Sequence, residues 1–162
     1  MFRVGIGWDV HRLVEDAELY LGCVHFPGAE KGLEGWSDAD VVCHAICDAL
    51  LGALALGDIG DHFPDHDPRF KDYPGSGFLQ LVEAMIGKAG YDIVNVDCTV
   101  MSDAVRLGDK KKRMAAAIAS HLGVEAKQVG VKATTFEGRG AVGRGEVIAC
   151  EAVAMLRRKE SS

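Results

Sequence analysis

Residues 39–56, ADVVCHAICDALLGALAL, are apolar on nearly every side of a helical wheel. A helix that is apolar all round is buried on most sides. The rest of the chain must therefore wrap around this segment. With 162 residues there is enough chain for one ordinary domain, spanning 1–162, and too little for two. No run of about 18 apolar residues occurs, so burial in protein rather than in lipid is expected. Ser37 or Asp38 is positioned to cap the helix.

Around that helix the pattern alternates between strands and helices. Residues 3–10 read as a strand, and 18–26, ELYLGCVHF, as a second that pairs with it in a β-hairpin. A glycine-rich loop, PGAEKGLEGWSD, leads into the apolar helix. Residues 57–77 form a long acidic loop holding three of the four prolines, and loops of that length in compact domains are usually functional or disordered. A second helix is expected over 76–89, a strand over 91–102, and a third helix capped by Asp109 and closed by Gly123. Two strands, 128–136 and 146–158, complete the chain. They are separated by EGRGAVGRG, too long for a tight hairpin and suited to shaping itself around a neighbour. The order predicts a single-domain α/β two-layer sandwich, a mixed sheet with helices on one face plus a β-hairpin.

The polar residues of the first helix carry the chemistry. Asp40, His44 and Asp48 recur at i, i+4 and i+8, so they form one stripe on an otherwise apolar helix. That stripe either faces water or builds a site, because a buried polar group without a partner is costly. Asp9 and His11 project to one side of the first strand. Asp9, His11 and His44 would give two imidazoles and a carboxylate with a fourth tetrahedral position open, as in catalytic zinc sites, with Asp40 a candidate to orient a ligand. Cys43 and Cys47 flank His44 and invite a separate zinc reading, although small cysteines buried in a helix are commoner.

Other groups are weaker alone. Asp58, Asp61, Asp65 and Asp67 read either as a solvated acidic loop or as oxygen ligands for hydroxyls or Mg²⁺. KATTFEGRG offers Lys132, Thr134, Thr135 and Glu137 at a strand end, where hydroxyls and amides cradle phosphate and Glu137 holds a metal between phosphates. A net charge of −6 argues against nonspecific nucleic-acid binding. The N-terminus lacks a signal-peptide pattern, and five irregularly spaced cysteines suit a reducing compartment, so a cytoplasmic enzyme without membrane contact is expected.

Taken together, GIGWDVHRL, SDADVVCHAICDALLGALALGDIGDHFPDHDPRFK, NVDCTV, VKATTFE and GRGEVIACEAVAML resemble the 2-C-methyl-D-erythritol 2,4-cyclodiphosphate synthases, the cyclases of the non-mevalonate isoprenoid pathway. The match runs nearly end to end. It implies a homotrimer with sites between subunits, and release of CMP from 4-diphosphocytidyl-2-C-methyl-D-erythritol 2-phosphate by internal phosphoryl transfer. By resemblance, zinc falls to Asp9, His11 and His44, and a second ion, Mg²⁺ or Mn²⁺, to Glu137. The erythritol segments fall on Asp58, Ile59 and Gly60 and on Phe63, Pro64, Asp65, His66 and Asp67. Ser37, Lys132, Ala133 and Thr134 join the substrate contacts, Ala104 and Arg106 the nucleotide pocket, and Thr135 and Asp48 the catalytic set. Arg144 falls at the phosphate end of a central cavity that holds an isoprenoid diphosphate in the family.

Three stretches depart from the family pattern. WSD replaces HSD, so Trp36 stands where a histidine has a transition-state or phosphate-contacting role. AVRLGD at 104–109 lacks both prolines of the family's nucleotide loop, which loosens it. TTFEGRGAVGRGE carries Phe136 for threonine and Ala141 for the phenylalanine of the central cavity. These changes leave two further readings: a family trimer with altered substrate or weak activity, and a noncatalytic trimer that binds an isoprenoid diphosphate.

Overall fold

The computed structural model describes residues 1–160. The elements are β1 (Phe2–Val14), β2 (Tyr20–Leu21), β3 (Val24–His25), β4 (Gly32–Leu33), α1 (Val41–Ala53), α2 (Ile59–His62), α3 (Gly75–Lys88), β5 (Tyr91–Met101), α4 (Lys110–His121), β6 (Val129–Thr134), α5 (Gly140–Gly143) and β7 (Val147–Arg158). A five-stranded mixed sheet has the order β4-β1-β7-β5-β6, antiparallel except for the β5–β6 pair.

The apolar run folds as the central helix. Val41 through Cys47, Ala49, Leu50, Leu51 and Ala53 are buried, and each fully buried leucine or isoleucine contributes about 1.5–3 kcal/mol. Its cap is neither Ser37 nor Asp38. Asp40 is the N-cap, accepting from the Val42 and Cys43 amides (3.1 and 3.2 Å) and also from Gly22 and Cys23 (2.8 and 2.7 Å). Four N–H donors satisfy this fully buried carboxylate and tie the 20–25 segment to the helix.

That segment does not pair with β1. Tyr20–Leu21 and Val24–His25 pair with each other, turning at Gly22 and Cys23, both at positive φ (57° and 64°). Two consecutive positive φ values give a tight primed turn, which closes a hairpin within the nine residues expected to form one strand. β1 instead runs to Val14 and pairs with β7 and β4. The third helix begins after Asp109 as expected, but Asp109 makes no side-chain cap bond. Gly123 (φ 65°) closes it, with the Val124 amide donating to Ala119 O.

β1 alternates sharply. Gly5, Gly7 and Leu13 are buried on the helix side, with Asp9 and His11 between them, while Phe2, Val4, Ile6, Trp8 and Val10 stand exposed on the opposite face. A Cβ at Gly7 would overlap the Ala45 carbonyl oxygen of α1, and one at Gly5 the Ala49 carbonyl oxygen. The bare glycines let helix backbone lie almost directly on the strand. Gly7→Ala is therefore expected to lose about 1–3 kcal/mol through overpacking, read as a lower urea midpoint, and to push His44 on α1 away from Asp9 and His11 on β1.

Candidate metal centre and active-site cavity

The close approach of α1 to β1 brings three side chains together. Asp9 and His11 follow Gly7 on the helix-facing side of β1, and His44 lies one turn beyond the Asp40 cap. Asp9 Oδ2 is 3.0 Å from His11 Nε2 and 3.1 Å from His44 Nδ1. The two ring nitrogens are 3.2 Å apart. Donors bound tetrahedrally at the usual zinc–nitrogen or zinc–oxygen length sit about 3.3 Å apart, so the triangle fits one such ion.

The proton bookkeeping fits as well. His11 Nδ1 lies 2.8 Å from the Glu34 carbonyl oxygen, which can only accept, so Nδ1 carries the proton. Nε2 of the neutral ring then turns a lone pair towards Asp9 and His44. Ser37 Oγ contacts His44 Nε2 at 3.2 Å and also accepts from the Ala39 amide. Without a cation, an extra proton must hold this acceptor-rich centre together. Burial resists charge on Asp9, but hydrogen bonds from His11 and His44 outweigh it and hold the carboxyl well below its usual range. Burial likewise resists charge on His11, and the bond to Asp9 outweighs it and raises the imidazole.

Glu34, just beyond β4, and Ser37 thus orient the imidazoles. Asp40 does not, since its oxygens serve backbone amides. The stripe Asp40–His44–Asp48 does not face water: Asp40 is fully buried and His44 nearly so. Asp48 lies outside the cavity and accepts from the Ile59 amide at 2.7 Å, securing the loop beside it; burial pushes its carboxyl up, and this bond partly offsets the rise. Cys23, Asp40 and Cys43 form a second cluster with metal-ligand groups. Burial and the Cys23 contact push the Cys43 thiol up, so it stays protonated, and Cys47 is buried. The flanking cysteines read as packing.

The triangle forms the floor of a cavity of about 450 Å³, with Trp36, Ser37, Ile59, Gly60, Phe63 and Pro64 among its walls and exposed Asp65 and His66 at the rim. The long acidic loop is ordered. Asp58 and Asp61 form a capping box around α2, and Asp67 caps the turn at Pro68–Phe70 while pairing with Arg69. Beneath it Phe63, Phe70, Tyr73 and Phe78 interlock, with Phe63 and Phe70 both close to Phe78 (5.0 and 5.8 Å between centroids). Phe78 also meets the His44 ring edge-on. Phe70 and Phe78 line the cavity and were not singled out by the sequence reading; no short motif marks them. The Trp36 indole N–H donates to the Asp67 carbonyl at 3.0 Å. It ties the cavity wall to the loop and is already spent as a donor.

The remaining expected site residues lie elsewhere. Ala104, Arg106 and Arg144 line a second cavity of about 620 Å³ with Lys31 and Lys110. Arg144 is paired with Glu146 (2.7 Å). Lys132, Ala133, Thr134, Thr135 and Glu137 are exposed at the end of β6 and beyond it, outside the first cavity, with Lys132 paired to Asp97.

The arrangement has relatives. The YgbB family profile matches residues 2–157. The 2-C-methyl-D-erythritol 2,4-cyclodiphosphate synthase of Desulfosudis oleivorans is 52% identical over 159 residues, covering 98% of this chain and 94% of its own. Among solved structures, IspF of Plasmodium falciparum in complex with CDP superposes with a TM-score of 0.85 at 31% identity, covering 98% of this chain and 97% of that one. The bifunctional IspDF of Campylobacter jejuni superposes with a TM-score of 0.90 at 35% identity; the match covers 99% of this chain and 43% of that longer one. With the match running from β1 to β7, the chain belongs to the YgbB family, that of the 2-C-methyl-D-erythritol 2,4-cyclodiphosphate synthases.

Proposed function

We propose that the protein is a phosphorus–oxygen lyase that converts 4-diphosphocytidyl-2-C-methyl-D-erythritol 2-phosphate to 2-C-methyl-D-erythritol 2,4-cyclodiphosphate and CMP. The observation that carries this reading is the triangle of Asp9, His11 and His44 at the floor of a cavity in a member of this family. An oxygen of the 2-phosphate attacks the β-phosphorus. The bond from that phosphorus to the oxygen bridging it to the α-phosphate breaks, and CMP leaves. Such a transfer needs alignment and charge neutralisation rather than a protein nucleophile. When bound, zinc on Asp9, His11 and His44 supplies Lewis acidity at the β-phosphate, and Mg²⁺ or Mn²⁺ on Glu137 offsets charge on both phosphates.

The chain's own groups do the positioning. Ile59 and Gly60, with the segment from Phe63 to Asp67, hold the erythritol in the first cavity, and Asp58 and Asp48 fix that loop. Ser37 and Glu34 keep the imidazoles aimed. Ala104, Arg106 and Ala133 receive the nucleotide, while Lys132 and the Thr134 and Thr135 hydroxyls meet the phosphates.

Glu137 and Thr135 lie outside their own chain's cavity, and Phe2, Val4, Ile6 and Trp8 leave a large apolar sheet face open. Both facts support a homotrimer in which each site joins one subunit's metal triangle to its neighbour's 132–137 segment. Arg144 would then face the threefold axis, where an isoprenoid diphosphate is accommodated. The five free thiols suit the cytoplasm.

Trp36 favours slow turnover as a second reading, because its single donor serves Asp67. The test measures CMP release by the zinc-loaded protein with Mg²⁺, beside Trp36→His. CMP release that stops on chelation is expected, and the variant is expected to be faster by up to about 10²–10³-fold, the value of one well-placed donor. No CMP from either protein would refute the proposal.

A further inference from the structure

We infer that Asp103 is a positioning residue that presents Glu137 to the second divalent ion, an inference that rests on the reading of Glu137 above. Asp103 lies just beyond β5. Its Oδ2 accepts from the Phe136 amide at 2.6 Å and its Oδ1 from the Gly138 amide at 3.1 Å. These two amides belong to the residues on either side of Glu137, which sits at φ 52°, a left-handed conformation that residues other than glycine adopt uncommonly. Amides on either side of such a residue form a concave seat for an anion, and here a carboxylate from the neighbouring strand end occupies it.

The seat is anchored from below. β5 and β6 run parallel, with Met101 opposite Thr134. The buried Ser102 donates its amide to Thr134 O at 3.1 Å, and its hydroxyl accepts from the Val105 amide at 3.1 Å. Asp103 is thus delivered from a fixed strand end to a loop that is otherwise exposed. Both of its bonds are charge-assisted, and both end on backbone. They hold the Thr135–Phe136 and Glu137–Gly138 peptide units, and so restrain the backbone through Glu137 and the direction in which its carboxylate leaves the chain. Asp103 directly precedes the 104–106 stretch assigned to the nucleotide, and its neighbour Ser102 holds that stretch through the Val105 amide.

The test uses the zinc-loaded full chain, with Mn²⁺ as the ion, CDP as the nucleoside diphosphate, and free Mn²⁺ read by electron paramagnetic resonance. Asn at 103 keeps the size but places an amide N–H₂ against one backbone donor. Asp103→Asn is expected to weaken Mn²⁺ binding about 10- to 100-fold, the usual cost of losing an outer partner of a metal ligand, with zinc content unchanged. Glu137→Gln is expected to weaken it at least as much. If Glu137→Gln weakens binding and Asp103→Asn does not, the positioning role is wrong. If Glu137→Gln binds like the wild type, the Glu137 reading fails and takes this inference with it. Hydrogen exchange on the unmodified protein gives a check that needs no variant. The Phe136 and Gly138 amides should be protected although both residues are exposed, and exchange at the rate of free amides would overturn the inference.

Discussion

His44→Ala is expected to abolish stoichiometric zinc binding and to lower CMP release by at least about 10²–10³-fold, the loss that follows removal of one preorganised electrostatic group. Two features make His44 the most sensitive ligand. Its ring is nearly buried and held between Phe78 and Ser37, so it is the most firmly placed of the three ligands. It is also the one contribution of α1 to a site otherwise built on β1. Zinc content by atomic emission, measured with turnover, checks the result. The metal-free protein adds a pH signature. Asp9 is depressed from 3.8, so its contribution to stability is present above that value and lost as pH falls through the folded one. His11 is raised from 6.5, so its contribution is present below 6.5 and lost as pH rises through its folded value. The cluster therefore stabilises the zinc-free fold most between these two values. Zinc must displace the His11 proton, so the gain in melting temperature on adding zinc should be larger at alkaline than at mildly acidic pH.

Mixing two inactive variants should restore activity. His44→Ala keeps Thr135 and Glu137, and Glu137→Gln keeps the metal triangle. If each site takes its triangle from one subunit and its 132–137 segment from the next, neither homotrimer has an intact site. After subunit exchange at equal amounts, about a quarter of the sites in a head-to-tail ring combine two intact halves. Turnover should rise from near zero to about that fraction of the wild-type value. The structural basis is twofold: Thr135 and Glu137 are exposed and outside their own chain's cavity, and Phe2, Val4, Ile6 and Trp8 leave an apolar sheet face that a monomer has no use for. A mixture that stays as inactive as its parents, with exchange verified by mass, would remove the shared site.

What could be read from the sequence was what periodicity reports. The apolar helix was visible because no other structure hides such a run, and Asp9 and His11 could be paired because strand alternation has only two faces. That Asp9 and His11 meet His44 depends on Gly5 and Gly7 lying under Ala49 and Ala45, a contact between distant segments that composition does not show. Asp40 looked like part of the polar stripe because sequence spacing does not distinguish a side chain facing a site from one turned back onto backbone amides; its four N–H partners lie on two segments. ELYLGCVHF looked like one strand because Cys23 is an unexpected residue for a turn at positive φ. The acidic loop gave no sign of order because its order comes from aromatic packing among Phe63, Phe70, Tyr73 and Phe78, spread through the loop and the helix after it. Asp103 escaped notice because its partners lie more than thirty residues away.

The measurement that bears most directly on the central claim is the identity of the phosphorus product. Release of CMP alone does not separate cyclisation from hydrolysis, but phosphorus NMR does. Zinc-loaded protein, Mg²⁺ and 4-diphosphocytidyl-2-C-methyl-D-erythritol 2-phosphate should yield CMP together with an equal amount of a species whose two phosphorus signals are mutually coupled, as a cyclic diphosphate requires. The 2-phosphate monoester signal should disappear at the same rate. CMP accompanied by an acyclic bisphosphate that retains its monoester signals would contradict internal transfer, and an unchanged substrate spectrum would contradict the assignment altogether.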